Sequence, residues 1–196
     1  MSEIAELAEV APVAVPGGRG EGVSDRKLLR GARRGEPAAV EALIERHWGR
    51  AHRIAYGILG DAHAAEDVTQ EAMLSIVHNI GRFDPYRPFA PWLHTVVSNR
   101  ALDFARARTR RAELSTDRAP ELADGADPVL ASSDPALEEA LAGLTPEHRA
   151  VIVLRFVAGY GPKQIGEVLG VPTGTVGSRL RRALDQLRTD LEVDDG

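Results

Sequence analysis

The sequence predicts an all-α protein made of two small helical domains joined by a flexible acidic linker. Three observations carry that expectation. Apolar residues recur every three or four positions through two stretches, roughly 24–112 and 134–191. No stretch alternates like a half-buried strand, and β-branched runs such as Val151-Ile152-Val153 sit inside helical patterns. Between the two stretches, residues 113–133 mix Asp, Pro, Ala, Ser and Gly with little periodicity, as a tether does. A chain of 196 residues has room for two small domains. Only 5% of it is aromatic, so the cores must be built mainly from Leu, Val, Ile and Ala.

Residues 1–23 hold Pro12, Pro16 and four glycines and read as a flexible N-terminal arm. A first helix pattern runs from Glu36 to Leu59 on Leu43, Ala51, Ile54 and Ile58. Gly60 stops it and Asp61 caps the next helix. Segment 62–80 turns Ala65, Val68, Ala72, Ile76 and Ile80 inward and Glu66, Asp67, Gln70 and Glu71 outward. Gly81, Pro85 and Pro88 bar a helix in the following loop. Pro91 suits the first turn of a helix that buries Leu93, Val97 and Phe104 and ends in arginines near Arg111.

In the second stretch, Asp134-Pro135 and Thr145-Pro146 are two cap-and-proline helix starts. Helix 162–169 faces Ile165, Val168 and Leu169 inward, and Gly170-Val171-Pro172 makes a tight turn. Thr173 caps a helix with Val176, Leu180, Ala183, Leu184 and Leu187 inside, ahead of an acidic tail at 192–196. A short helix, a glycine turn and a second amphipathic helix form a helix-turn-helix pattern.

Net charge is −5, which by itself disfavours a nucleic-acid partner, but its distribution decides more than its sum. Arg100, Arg106, Arg108, Arg110 and Arg111 outweigh Asp103, whereas 113–134 holds six acids against Arg118. With no cysteine, disulfides, thiolate metal sites and cysteine nucleophiles are excluded. No apolar run reaches the roughly 20 residues of a membrane span, and the acidic N-terminus makes a poor signal peptide, so a cytoplasmic protein with no direct membrane insertion is expected. The six histidines form no H-x-x-x-H pair, and no phosphate-loop or nucleophile-elbow motif occurs. The expectation is no enzyme, no metal and no cofactor.

Three surfaces remain for function. On the last helix the face opposite the apolar stripe carries Gly174, Thr175, Ser178, Arg181, Arg182 and Asp185. Small residues allow close approach to a duplex, and the arginines reach phosphates or guanine edges. The loop offers Phe83, Tyr86, Phe89 and Trp92 interleaved with Arg82 and Arg87, the mixture that single-stranded DNA requires. Equally, Phe89 and Trp92 could staple the loop to the core. The acidic face is either solvated or a dock for a basic partner.

In order and spacing, several stretches resemble the sigma-70 family, specifically its small extracytoplasmic-function (ECF) type. They are Ala65-Glu66-Asp67-Val68-Thr69-Gln70-Glu71, Arg82-Phe83-Asp84 with Pro91-Trp92-Leu93, Asn99-Arg100-Ala101-Leu102-Asp103, Leu144-Thr145-Pro146-Glu147, and Ile165 through Ala183. The resemblance implies a region 2 bundle over 24–112 and a region 4 helix-turn-helix over 134–191. It implies docking on the clamp helices of the largest subunit of core RNA polymerase through Glu66, Asp67, Gln70 and Glu71, with the second domain on the flap. It implies that the minus-ten element is melted and read by Arg82, Phe83, Asp84, Tyr86, Arg87, Phe89, Trp92, Asn99, Arg100, Asp103, Arg106, Arg110 and Arg111. Flipping a base costs a few kcal/mol, which such a pocket offsets. Thr173, Thr175, Ser178, Arg179, Arg181 and Arg182 would read the minus-thirty-five element, and an anti-sigma factor is an expected partner.

The chain departs from that family at Gly177, where a cation is usual, at Gly166, where alanine is usual, and at Gly161-Pro162. Gly177 removes a phosphate contact, whereas Gly166 is expected to matter less. Two other classes fit parts of the sequence. A stand-alone helix-turn-helix regulator would not need the aromatic loop, and a polymerase-sequestering scaffold would leave Arg181 and Arg182 idle.

Overall fold

In the computed structural model, residues 24–84, 86–114 and 135–194 are described. The expected arm and almost all of the expected linker lie outside them, as does Pro85. The first set of helices is α1 (Asp25–Arg33), α2 (Pro37–Leu59), α3 (Ala62–Asn79) and α4 (Phe89–Leu114), with a 3-10 turn at Ile80–Arg82. The second set is α5 (Pro135–Gly143), α6 (Pro146–Phe156), α7 (Pro162–Leu169) and α8 (Thr173–Asp194). Strands are absent among the described residues.

The helix ends follow local chemistry. Gly60 closes α2 at φ 64°, a left-handed position that glycine adopts without a Cβ clash. Asp61 Oδ1 accepts the Ala64 N–H at 2.9 Å, so α3 begins on a satisfied cap. Thr145 Oγ1 does the same for the His148 N–H, at 3.3 Å. Other ends differ from expectation by a residue or two. Helix α4 begins at Phe89, ahead of Pro91. Thr173 is the first helical residue of α8 rather than its cap, because the Pro172 carbonyl accepts from Thr175 and Val176. Helix α8 also runs through Asp194, into the segment expected as a tail.

The inward faces close two cores. The larger one joins both helical sets: Leu43, Ile54, Ile58, Val68, Leu93 and Val97 of the first are continuous with Val151, Leu154, Ile165 and Val176 of the second. A smaller core of Ala140, Leu144, Ile152, Ala183 and Leu187 belongs to the second set alone. The two sets therefore pack together, α2 and α4 against α6 and α4 against α7, instead of standing apart on their tether. Close packing at Gly57 makes this possible, since a Cβ there would lie 2.6 Å from Val153 Cγ2. Phe104, expected inside, is 38% exposed.

Candidate nucleic-acid interface

Helix α8 presents what its periodicity requires. Val176, Ala183 and Leu187 are buried, Thr173, Arg181 and Arg182 are exposed, and Thr175, Ser178 and Arg179 are half-buried. Ser178 Oγ donates to the Thr175 carbonyl at 2.9 Å, so its hydrogen is already committed within the helix. Gly177 faces open space, whereas a Cβ on Gly166 would meet the Val171 carbonyl at 2.8 Å. The glycine at 166 is thus required by the tight α7–α8 turn, contrary to the expectation that it matters little.

The loop splits its four aromatics. Phe83 and Phe89 are buried, and Phe83 stacks on half-buried Trp92 with centroids 4.4 Å apart. Phe89 meets Trp92 edge-on at 5.9 Å and His47 at 4.9 Å. Phe83 and Phe89, expected to meet DNA, are core residues here, because an irregular loop needs apolar anchors to hold it on the bundle. Tyr86 alone stands out, 78% exposed. Asp84 shapes the tip through its side chain, which accepts the Tyr86 N–H at 2.9 Å. Arg82, Asp84 and Arg87 are exposed, and an open groove of about 860 Å³ runs between this loop and α7, with Asn79 and Trp92 on one wall and Gln164 and Glu167 on the other.

Along α4, Asn99, Asp103, Arg110 and Arg111 are exposed. Arg100 is half-buried and lies 3.5 Å from Glu71. Arg106 is spoken for: its Nε donates to Glu147 of α6 at 3.0 Å. Burial opposes ionisation of Glu147, but its own backbone hydrogen bond and Arg106 outweigh that, and its carboxyl titrates below the ordinary range. Deeper in the same seam, His94 and Tyr160 share a 2.7 Å hydrogen bond. Burial, helped by Arg50 and His47, lowers the His94 pKa to about 3, and burial raises that of Tyr160 to about 12. Both groups are therefore neutral.

Helix α3 exposes Glu66, Asp67, Gln70 and Glu71 along one side. Asp67, Gln70 and Glu71 border a groove of about 390 Å³ whose other wall is Arg100, Asp103 and Phe104. Leu74, 65% exposed, continues that side one turn on. Sequence reasoning passed over Leu74, although its spacing of four from Gln70 puts it there.

Sigma-70 region 2 matches residues 43–111, and Sigma-70, region 4 matches residues 140–189. The ECF RNA polymerase sigma factor SigL of Mycobacterium tuberculosis H37Rv is 41% identical over 171 residues, which cover 84% of this chain and 95% of that protein. The chain belongs to the sigma-70 family. It is an ECF-type sigma factor and supports promoter-specific transcription initiation. SigE of Mycolicibacterium smegmatis is 37% identical over 165 residues, 79% of this chain but only 63% of that protein. The structure of CnrH in complex with the cytosolic domain of CnrY matches with a TM-score of 0.64 at 26% identity, over 87% of this chain and 98% of that one. In this sigma factor the region 2 match takes in most of α2, then α3 and the loop, and most of α4. The region 4 match takes in the helix-turn-helix. Helix α1 precedes both. No helix among the described residues is long and apolar enough to cross a membrane.

Proposed function

We propose that this sigma factor divides promoter recognition between two bodies carried by one polymerase. Residues 24–112 dock on the clamp helices of the largest subunit through Glu66, Asp67, Gln70 and Glu71, with Leu74 as the apolar centre. The same body melts the minus-ten element. Tyr86 and Trp92 supply ring faces for an unstacked base, while Arg82, Arg87, Asn99, Arg100, Arg106, Arg110 and Arg111 hold the strand. Residues 134–191 sit on the flap and read the minus-thirty-five duplex with Thr175, Arg179, Arg181 and Arg182. The protein acts in the cytoplasm, performs no covalent chemistry of its own, and is held in reserve by an anti-sigma factor. The CnrH structure supports that last element, since its partner there is a cytosolic protein domain.

The observation that carries the reading is the separation of two unlike surfaces. Exposed Arg181 and Arg182 lie on a regular helix shaped for a duplex groove, and exposed Tyr86 tips an irregular loop. Joining both to one enzyme raises the local concentration of the second element once the first is bound. Run-off transcription with purified core polymerase on a promoter library tests this. Arg181→Ala with Arg182→Ala should abolish dependence on the minus-thirty-five sequence and leave polymerase binding intact, at about 1–3 kcal/mol per lost base contact. Asp67→Ala with Gln70→Ala should weaken polymerase binding while helicity is unchanged. Transcription indifferent to the first pair, or polymerase affinity indifferent to the second, refutes the corresponding assignment.

A further inference from the structure

Helix α1 shows the solvent a face made only of cations. Leu28, Leu29 and Ala32 pack inward, and Arg26, Lys27, Arg30, Arg33 and Arg34 occupy the outer circumference, all exposed. Asp25, the single acid of the helix, points away from that face. It accepts from Arg46 at 2.7 Å and is bonded to His47 at 2.9 Å. The His47 bond is the largest influence on Asp25 and holds its carboxyl below the ordinary range. Arg34 is paired with Glu36 at 2.7 Å. Arg26, Lys27, Arg30 and Arg33 have no carboxylate partner among the described residues.

A solvated basic face is the ordinary explanation of such a stripe, but two further observations tie this one to the loop. The Arg26 guanidinium lies 5.6 Å over the ring of Tyr86, the exposed loop tip. Helix α1 also packs against the Ile80–Arg82 turn that opens the loop, so its cations and the loop tip lie side by side. The Asp25 clamp fixes the helix on α2, and His47 passes that rigidity to Phe89 beneath the loop. Arg26 to Arg33 spans about 10 Å of helix, room for two or three phosphates. A row of like charges beside a cation-stacked ring fits a single-stranded polyanion better than it fits a folded protein surface.

We propose that the outer face of α1 is an additional nucleic-acid contact, in which Arg26, Arg30 and Arg33 carry the phosphates of the single strand where it leaves the minus-ten loop. The proposal rests on the promoter-reading function above. Its test is the salt dependence of holoenzyme binding to two forked promoters. One fork has a non-template strand running several nucleotides past the loop, and the other is trimmed at it. With three cations removed (Arg26→Ala, Arg30→Ala, Arg33→Ala), the slope of log K against log salt on the long fork should flatten by about two, at roughly 0.7 per released phosphate contact. On the trimmed fork the variant should match the parent. A triple lysine variant (Arg26→Lys, Arg30→Lys, Arg33→Lys) keeps the charges and should keep the slope. An unchanged slope on the long fork, an equal loss on both forks, or weakened polymerase binding overturns the proposal. A parent protein that loads polymerase on neither fork sinks the promoter reading itself, which separates the two failures.

Discussion

The loop before α4 and helix α8 carry the two proposed DNA surfaces, and they are built in opposite ways. The backbone of α8 satisfies its own hydrogen bonds, so packing uses one stripe and leaves Arg181, Arg182 and Thr173 exposed. The loop has no such ladder. Phe83 pins it by stacking on Trp92 of α4 and meeting Phe89 of α4 edge-on, Phe89 in turn meets His47, and Tyr86 is left at the tip. The irregular segment spends Phe83 on its own shape, and the start of α4 spends Phe89 and Trp92 on holding it, whereas α8 spends about half its circumference. Precision in the loop therefore comes from residues that need not touch the ligand.

That contrast breaks first at Phe89. It is 4% exposed, and Phe89→Ala should destabilise the protein by about 3–5 kcal/mol in urea unfolding, while Tyr86→Ala leaves stability unchanged and impairs promoter melting. A larger effect at Tyr86 than at Phe89 would reverse the assignment of anchor and reader. The next effect lies at His94, which joins the loop-bearing body to Tyr160 just ahead of α7. With its pKa lowered from 6.5 to about 3, His94 resists a proton that the unfolded chain accepts. Above pH 6.5 both states are neutral there, and the linkage vanishes. As pH falls below 6.5 the folded form loses stability, by up to about 1.4 kcal/mol per unit. Unfolding midpoints between pH 7.5 and 5, ahead of the carboxylates of Asp25 and Glu147, should fall for the parent and fall less for His94→Gln. Parallel curves would mean that the seam does not keep this imidazole neutral. The smallest change sharpens the α8 side: Gly177 faces open space within a helix, so Gly177→Ala should gain about 1 kcal/mol in thermal or urea unfolding.

Local chemistry made much of this architecture readable beforehand. Gly60, Asp61 and Thr145 mark helix ends because a left-handed turn or a capping oxygen acts over three or four residues. The inward faces of α3 and α8 follow from periodicity alone. The inward or outward choice of Phe83, Phe89 and Phe104 did not, since neither a loop nor one edge of a long helix imposes it. Nor did the joint core, which depends on Gly57 meeting Val153 and His94 meeting Tyr160 across 96 and 66 positions respectively. Contacts that distant leave no periodic trace. Charge on the candidate surfaces was visible in the composition, but which charges were already neutralised was not: Arg106 and Arg100 look alike in sequence to Arg110 and Arg111, and among the described residues only the first two of these four face carboxylates.

Under the proposed promoter reading, the Glu147–Arg106 bridge makes the folded arrangement and the promoter rivals. If Arg106 holds a phosphate in the initiating complex, the carboxylate of Glu147 occupies that phosphate's place beforehand, with Arg179 of α8 also within its electrostatic reach. Strand and carboxylate cannot both have the guanidinium. Any scaffold that prises α6 from α4 thus frees a cation for DNA without adding a contact of its own.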